Sequence, residues 1–231
     1  MDKIKKIFCD LISAVYPNKC ICCSDIIDEG KQLCENCAAV IERNNLFDMC
    51  TNCGFEKSEC VCKYNVYRFS GLVCALKNVG HAKDIYYAYK FGKRQHYSNF
   101  FAKEMCKAVD ICYSDIKFDL ICAVPSNKRY GYNHSTYLAQ IISKKFNIPY
   151  NDNLICCVKK TKKQHKSTIQ ERLNNPNGKY ACDFKIDGST VLLVDDIKTT
   201  GSTLDECAKM LLFAGAQNVY CVTALGSSLK K

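Results

Sequence analysis

The sequence has no run of about 18 consecutive apolar residues, so it predicts no transmembrane helix. It also has no secretory leader pattern. The apolar residues Ile4, Ile7, Phe8, Leu11, Ile12 and Val15 recur at helical steps, so residues 1–16 read as an amphipathic helix and the chain as cytoplasmic. The pattern Gly-x-x-x-x-Gly-Lys-Ser/Thr does not occur, which excludes a Walker-type nucleotide loop. No internal repeat or low-complexity linker is visible. The hydrophobic fraction of 48% excludes a disordered chain and is enough for a core in one medium domain with a small appendage.

Cysteine is plentiful: the chain has 19. An odd total without a leader argues against a disulfide framework. Nine of them (Cys20, Cys22, Cys23, Cys34, Cys37, Cys50, Cys53, Cys60 and Cys62) crowd into one stretch, and the other ten are scattered through apolar segments, as small buried hydrophobes are. The crowded set forms four close groupings: Cys20 with Cys23 or Cys22, Cys34 with Cys37, Cys50 with Cys53, and Cys60 with Cys62. A C-x-x-C turn lets two thiolates meet one tetrahedral ion, and two such turns complete its shell. Sequence order pairs Cys20, Cys23, Cys34 and Cys37 in one zinc site and Cys50, Cys53, Cys60 and Cys62 in a second. A shell closed by four thiolates leaves no position for a reacting water, so the zinc would be structural. A cysteine module over residues 17–63 has little core of its own and would depend on such metal to fold.

The formal net charge of +10 invites anionic partners, but two tetrathiolate zinc ions would lower it to about +6. Basic composition alone is therefore a weak pointer to nucleic acid.

Residues 64–231 alternate apolar strands with amphipathic helices. Strands are expected at Val66–Phe69, Asp119–Val124, Val191–Val194 and Val219–Leu225. Helices are expected at Ala82–Lys90, Asn99–Cys112, Asn133–Phe146 and Leu204–Phe213. This order predicts an α/β fold with a largely parallel, doubly wound sheet, whose ligands sit at the carboxyl ends of the strands. The telling segment is Val191-Leu-Leu-Val-Asp195-Asp196-Ile-Lys-Thr199-Thr200-Gly201-Ser202-Thr203-Leu204. A strand delivers two carboxylates, then hydroxyls and one glycine lead into a helix. The helix N-terminus offers free amides to a phosphate, Gly201 permits close approach, and the carboxylates suit ribose hydroxyls or a magnesium ion. Caps on an ordinary strand-turn-helix would account for one acidic residue and perhaps one hydroxyl, but not for this series.

This segment resembles the phosphoribosyl pyrophosphate (PRPP) motif of type I phosphoribosyltransferases. The whole chain resembles the ComF family, competence-associated proteins related to amidophosphoribosyltransferases. The likeness runs through the cysteine pairs, Tyr89-Lys90-Phe91-Gly92-Lys93, Ala123-Val124-Pro125-Ser126-Asn127-Lys128-Arg129, Gly131-Tyr132-Asn133-His134, Leu138-Ala139, then Gln164, Arg172 and Asn174. The chain departs from the family at Tyr130-Gly131-Tyr132-Asn133-His134, where Arg-Gly-Phe-Asn-Gln is usual. The stretch from Pro125 to Gly131 is also short. The resemblance implies that Asp195 and Asp196 hold the ribose hydroxyls and that Thr199, Thr200, Gly201, Ser202 and Thr203 cradle the 5′-phosphate. It places Ser126, Asn127 and Lys128 near the pyrophosphate and implies bridging Mg2+. It further implies a role in DNA uptake, with a competence helicase as partner.

The chemistry implied is displacement of pyrophosphate from ribose C1. Lys128, Arg129 and Arg172 are candidate anion contacts, Lys159–Lys166 a candidate loop over the site, and His134 and His165 candidate bases. Hypoxanthine-type transferases carry a carboxylate where this chain has Thr199, a weak argument against purine salvage of that type; the acceptor stays open, with nucleobase salvage as one alternative. A second reading is a non-catalytic accessory that binds PRPP or single-stranded DNA. It draws on the aromatic and basic residues Tyr86, Tyr87, Tyr89, Lys90, Lys93, Arg94, His96 and Tyr97, which could stack on bases. The same tyrosines also fit core packing, and that reading is favoured.

Overall fold

The apolar runs assemble into a four-stranded parallel sheet. The computed structural model describes residues 16–60, 62, 67–92, 94–126, 133–158 and 179–227. The sheet strands are β3 (Gly71–Lys77), β4 (Leu120–Ala123), β7 (Thr190–Lys198) and β8 (Asn218–Gly226), and they lie in the order β3-β8-β7-β4. Successive side chains of a strand face opposite sides, so β7 feeds two cores. Leu192 and Val194 pack with α2 (Gly80–Phe91), α3 (Ser98–Cys112) and α4 (His134–Phe146). Val191 and Leu193 pack with α5 (Ser202–Phe213) on the other face. Both faces are covered, as a parallel sheet requires. Each fully buried leucine there, such as Leu192, contributes about 1.5–3 kcal/mol. Among the described residues no helix is long and apolar enough to cross a membrane.

The elements differ from the sequence expectation in instructive places. The first strand is Gly71–Lys77, not Val66–Phe69. Val66 lies outside the described residues, and Tyr67 and Phe69 belong to a bend before the strand, with their rings stacked at 4.7 Å. Gly71–Leu76 is buried on both faces and carries no alternation to read. Strand β7 runs on through both aspartates to Lys198, and α5 begins at Ser202, not Leu204. The amphipathic segment over residues 1–16 falls almost wholly outside the described residues.

The cysteine-rich stretch lies along the outer edge of β3. It contains α1 (Glu35–Val40) and a hairpin of β1 (Met49–Cys50) and β2 (Phe55–Glu56). The hairpin turns at Gly54, whose φ of +76° only glycine adopts freely; a Cβ there would lie 2.9 Å from Cys74 Sγ. Edge amides of β3 are taken up by this stretch. Cys74 N–H donates to Gly54 O at 3.2 Å, and Lys77 N–H to Glu42 O at 2.9 Å. Asn44 Nδ2 donates to Cys74 O at 2.8 Å. An otherwise open strand edge is thereby covered. Arg43 Nε reaches the buried Glu104 of α3 at 2.9 Å, tying the stretch to the helical layer as well.

Two more short strands, β5 (Cys156–Cys157) and β6 (Tyr180–Ala181), pair antiparallel beside the core containing Leu193. They flank residues 159–178, which include the expected basic loop.

Candidate functional site

Parallel strands end together, and the ends of β7 and β4 meet the starts of α4 and α5. Asn133 organises the first of these junctions. Its Nδ2 donates to Val124 O at 3.1 Å, and its Oδ1 accepts from Ser135 N–H at 3.1 Å, capping α4. The cap aims Ser135, whose hydroxyl donates to Asp195 Oδ1 at 2.8 Å. The Asp196 N–H donates to the same oxygen at 2.9 Å. Burial and the adjacent Asp196 push the Asp195 carboxyl up to about 8.

Asp196 faces the opposite side of the sheet. Its Oδ2 accepts from Tyr86 Oη and from Lys90 Nζ, each at 2.9 Å, and Lys90 also donates to Tyr86 Oη at 2.7 Å. Tyr86 and Lys90 are one helical turn apart on α2, so a single helix face brings both to the carboxylate. Burial, then the Asp196 charge, raises the Tyr86 phenol and keeps it a donor. His134 is half-buried at the start of α4, edge-on to Tyr89 with centroids 4.7 Å apart, and burial lowers its imidazole.

Residues Thr199–Thr203 form the loop between β7 and α5. Gly201 has a φ of +86° and stands at the N-cap of α5, which has no side-chain cap. Thr200 Oγ1 lies 2.8 Å from Ser202 Oγ and accepts from Ser202 N–H at 3.3 Å. Thr199, Thr200 and Ser202 are exposed, so their hydroxyls and the first-turn amides of α5 open outward. Ser126 is exposed beyond the end of β4. Asn127, Lys128, Arg129, His165, Arg172 and Lys159–Lys166 lie outside the described residues.

The cysteines form two groups. The Sγ atoms of Cys20, Cys23, Cys34 and Cys37 all lie within 4.8 Å of one another, as do those of Cys50, Cys53, Cys60 and Cys62. Cys23 to Cys34 is 3.7 Å and Cys50 to Cys62 is 3.6 Å. Metal–sulfur bonds of about 2.3 Å in a tetrahedron put sulfurs about 3.8 Å apart, so the donor set fits a zinc-sized ion. Backbone N–H groups also point at sulfur, Cys34 to Cys20 and Cys37 to Cys34, each at 3.4 Å. Cys23 belongs to the first group, while Cys22 packs against the core. Both groups could hold a metal ion.

The aromatic row is divided by the fold. Tyr86, Tyr89 and Tyr97 are buried in the core and cannot stack on bases. Tyr87 and Phe91 are the exposed large apolar side chains of α2, with ring centroids 5.6 Å apart, and Lys83 Nζ lies 5.8 Å from the Tyr87 ring. Sequence reasoning missed Ser135 as an Asp195 partner and placed Tyr86 and Lys90 elsewhere. The Asn133 cap and the four-residue step from Tyr86 to Lys90 were the available signals.

Residues 133–229 match the family described as the phosphoribosyl transferase domain. Over that stretch the chain is similar to phosphoribosyl transferase domains, and its curated relatives include a competence protein. It is 33% identical over 94 residues to Competence protein F of Haemophilus influenzae, covering 39% of this chain and 41% of that protein. It is 31% identical over 105 residues to DNA utilization protein YhgH of Escherichia coli O157:H7, covering 44% of this chain and 46% of the relative. The chain thus spans less than half the length of these relatives. Among solved structures it is similar to the glutamine PRPP amidotransferase of B. subtilis complexed with ADP and GMP. That match has a TM-score of 0.44 and 17% identity over 70% of this chain and 32% of the other. It is also similar to a purine phosphoribosyltransferase from Pyrococcus horikoshii, with a TM-score of 0.38 and 13% identity over 57% of this chain and 90% of the other.

Proposed function

We propose that this ComF-type domain binds PRPP with Mg2+ and transfers its phosphoribosyl group in a process linked to DNA uptake. The observation that carries the reading is the placement of Asp195 and Asp196 directly before the uncapped start of α5, with Gly201 at the N-cap. The 5′-phosphate would take the first-turn amides and the Thr199, Thr200, Ser202 and Thr203 hydroxyls. The ribose hydroxyls would donate to Asp195 and Asp196. Ser126 and Lys128 would lie beside the pyrophosphate. The oxygen donors suit Mg2+, which supplies charge neutralisation to the leaving group when bound. The acceptor attacks C1 as the C1–O bond to pyrophosphate breaks, and the Asp196 carboxylate favours the positive charge that develops on the sugar.

The names of the relatives, a competence protein and a DNA utilization protein, support the link to DNA uptake. A cytoplasmic site of action and a helicase partner fit the same process. Both four-cysteine groups would hold structural zinc, giving an amphipathic segment over residues 1–16, a zinc module over 17–63 and a transferase domain over 64–231. Calorimetry with Mg2+ and PRPP tests the site. Parent protein binds, and the Asp195→Asn, Asp196→Asn double variant does not; equal affinity overturns the assignment.

A second reading, a single-stranded DNA accessory without turnover, is favoured by the exposed Lys83, Tyr87 and Phe91 on α2. Pyrophosphate release from PRPP in the presence of nucleobases, amines or DNA supports the transferase. Binding with no release across that panel supports the accessory.

A further inference from the structure

The loop proposed to take the 5′-phosphate is not held by the sheet alone. Tyr67 Oη donates to Thr200 O at 3.0 Å. The Tyr67 ring lies against Gly201, where an added Cβ would come within 3.2 Å of it. The next residue, Arg68, binds the first turn of α5: its backbone N–H donates to Asp205 Oδ1, and its guanidinium pairs with Asp205 Oδ2 at 2.6 Å. Phe69 then stacks under Tyr67. One short strap, following Cys62 closely in the chain, thus grips the loop and the helix start at three points.

The other end of the loop meets the same cysteine group. Lys198 immediately precedes Thr199 and is only 2% exposed, unusual for a lysine. Its Nζ lies 4.2 Å from the ring centroid of Phe55, which follows Cys53 and Gly54 in the knuckle hairpin. Gly226, paired with Lys198 across the sheet, admits no side chain because a Cβ would meet Cys74 and Phe55 at 2.7–2.8 Å. Both ends of the loop therefore rest on residues that flank Cys50, Cys53, Cys60 and Cys62.

We infer that this second four-cysteine centre positions the phosphate loop, with Tyr67 as the positioning residue, so that its metal occupancy sets the shape and affinity of the phosphate site. This rests on the PRPP reading for the identity of the ligand but not for the coupling. An ion holding the four sulfurs would fix the Cys53–Phe55 turn and anchor Cys62, five residues ahead of the Tyr67–Phe69 strap in the chain. Those two segments in turn hold Lys198 and Tyr67 against Thr199–Gly201. The first four-cysteine group, on the other side of the Glu42–Asn45 segment, has no such contact among the described residues, so emptying it should spare the loop.

Hydrogen exchange without ligand tests the coupling directly. Amides of residues 199–204 should exchange faster in Tyr67→Ala and in Cys62→Ser than in the parent, and at the parental rate in Cys34→Ser. Calorimetry with ribose 5-phosphate should show affinity reduced about tenfold in Tyr67→Ala and less in Tyr67→Phe, which keeps the ring and loses one hydrogen bond. Zinc content and melting temperature of the Tyr67 variants should stay parental, which separates positioning from general damage. Parental exchange and affinity in Tyr67→Ala overturn the inference. A parent that binds neither ribose 5-phosphate nor PRPP overturns the ligand reading instead, and the exchange comparison still decides the coupling.

Discussion

Lys90 Nζ sits 2.9 Å from Asp196 Oδ2, and the same oxygen accepts from Tyr86. One carboxylate oxygen is thus committed to the protein, which leaves Oδ1 for the proposed ribose. The lysine also neutralises one of two adjacent buried acids in a parallel sheet, where a second uncompensated charge would be costly.

Removing that cation should therefore weaken the site. Lys90→Met should lower PRPP affinity by roughly tenfold or more, the scale of a charge-assisted hydrogen bond of about 1.5–3 kcal/mol. Calorimetry checks it, and unchanged affinity would show that Asp196 does not depend on Lys90.

Asp195 should make the fold less stable as pH rises. Its carboxyl is pushed up to about 8 in the folded protein, against about 3.9 for an ordinary aspartate. Between those values the folded chain keeps a proton that the unfolded chain has lost, so this group's contribution falls from about pH 4 to about pH 8. Asp195→Asn should melt higher than the parent at pH 8, and the gap should close toward pH 4. A variant that melts lower at pH 8 would refute this. On the proposed reading, Asp195 would be a ribose-holding group kept at a cost in stability.

Glu104 should act in the opposite sense. Burial raises its carboxyl, but hydrogen bonds from Arg43 and Lys107 outweigh that and hold it below the usual range. Its stabilisation is present above the pKa of an unfolded glutamate and is lost as pH falls through the lower folded value. Glu104→Gln should lose stability at neutral pH by a few kcal/mol, since it leaves Arg43 without its buried partner. Denaturant melts at pH 7 and pH 3 should show the difference shrinking in acid.

Protein prepared without chelator should carry about two zinc equivalents, one per tetrathiolate. Cys34→Ser should lose about one of them and loosen the module, because a structural site gives its binding energy to folding. Metal analysis finding no zinc in the parent would remove the module's proposed basis.

Single-stranded DNA should bind by charge and limited stacking. Lys83→Ala with Arg94→Ala should flatten the dependence of log affinity on log salt by about 0.7 for each phosphate no longer neutralised. Tyr87→Ala should cost about 1–3 kcal/mol if a base stacks there, while Asp195→Asn should weaken nothing. A double variant with the parental salt slope would exclude this face of α2 together with Arg94 just beyond it.

The sequence alone determined the parallel α/β class, the two cysteine groups and the carboxylate-hydroxyl-glycine segment. Each is local: buried strands show as apolar runs, clustered sulfurs as C-x-x-C spacing, and the proposed phosphate loop as a strand-to-helix junction. Tertiary structure alone decided which side chains meet across long sequence separations. Core packing was the favoured expectation for Tyr86, but only the packing of α2 against the sheet turned it and Lys90 onto Asp196. Tyr67 looked like part of a strand, yet its ring lies under Gly201. The cysteine module looked like an appendage, yet it covers the edge of β3, and its Phe55 packs on Lys198 just before the Thr199–Thr203 loop. Periodicity reports which face of an element is apolar, but not which distant element that face meets. That choice belongs to the packing of the whole chain.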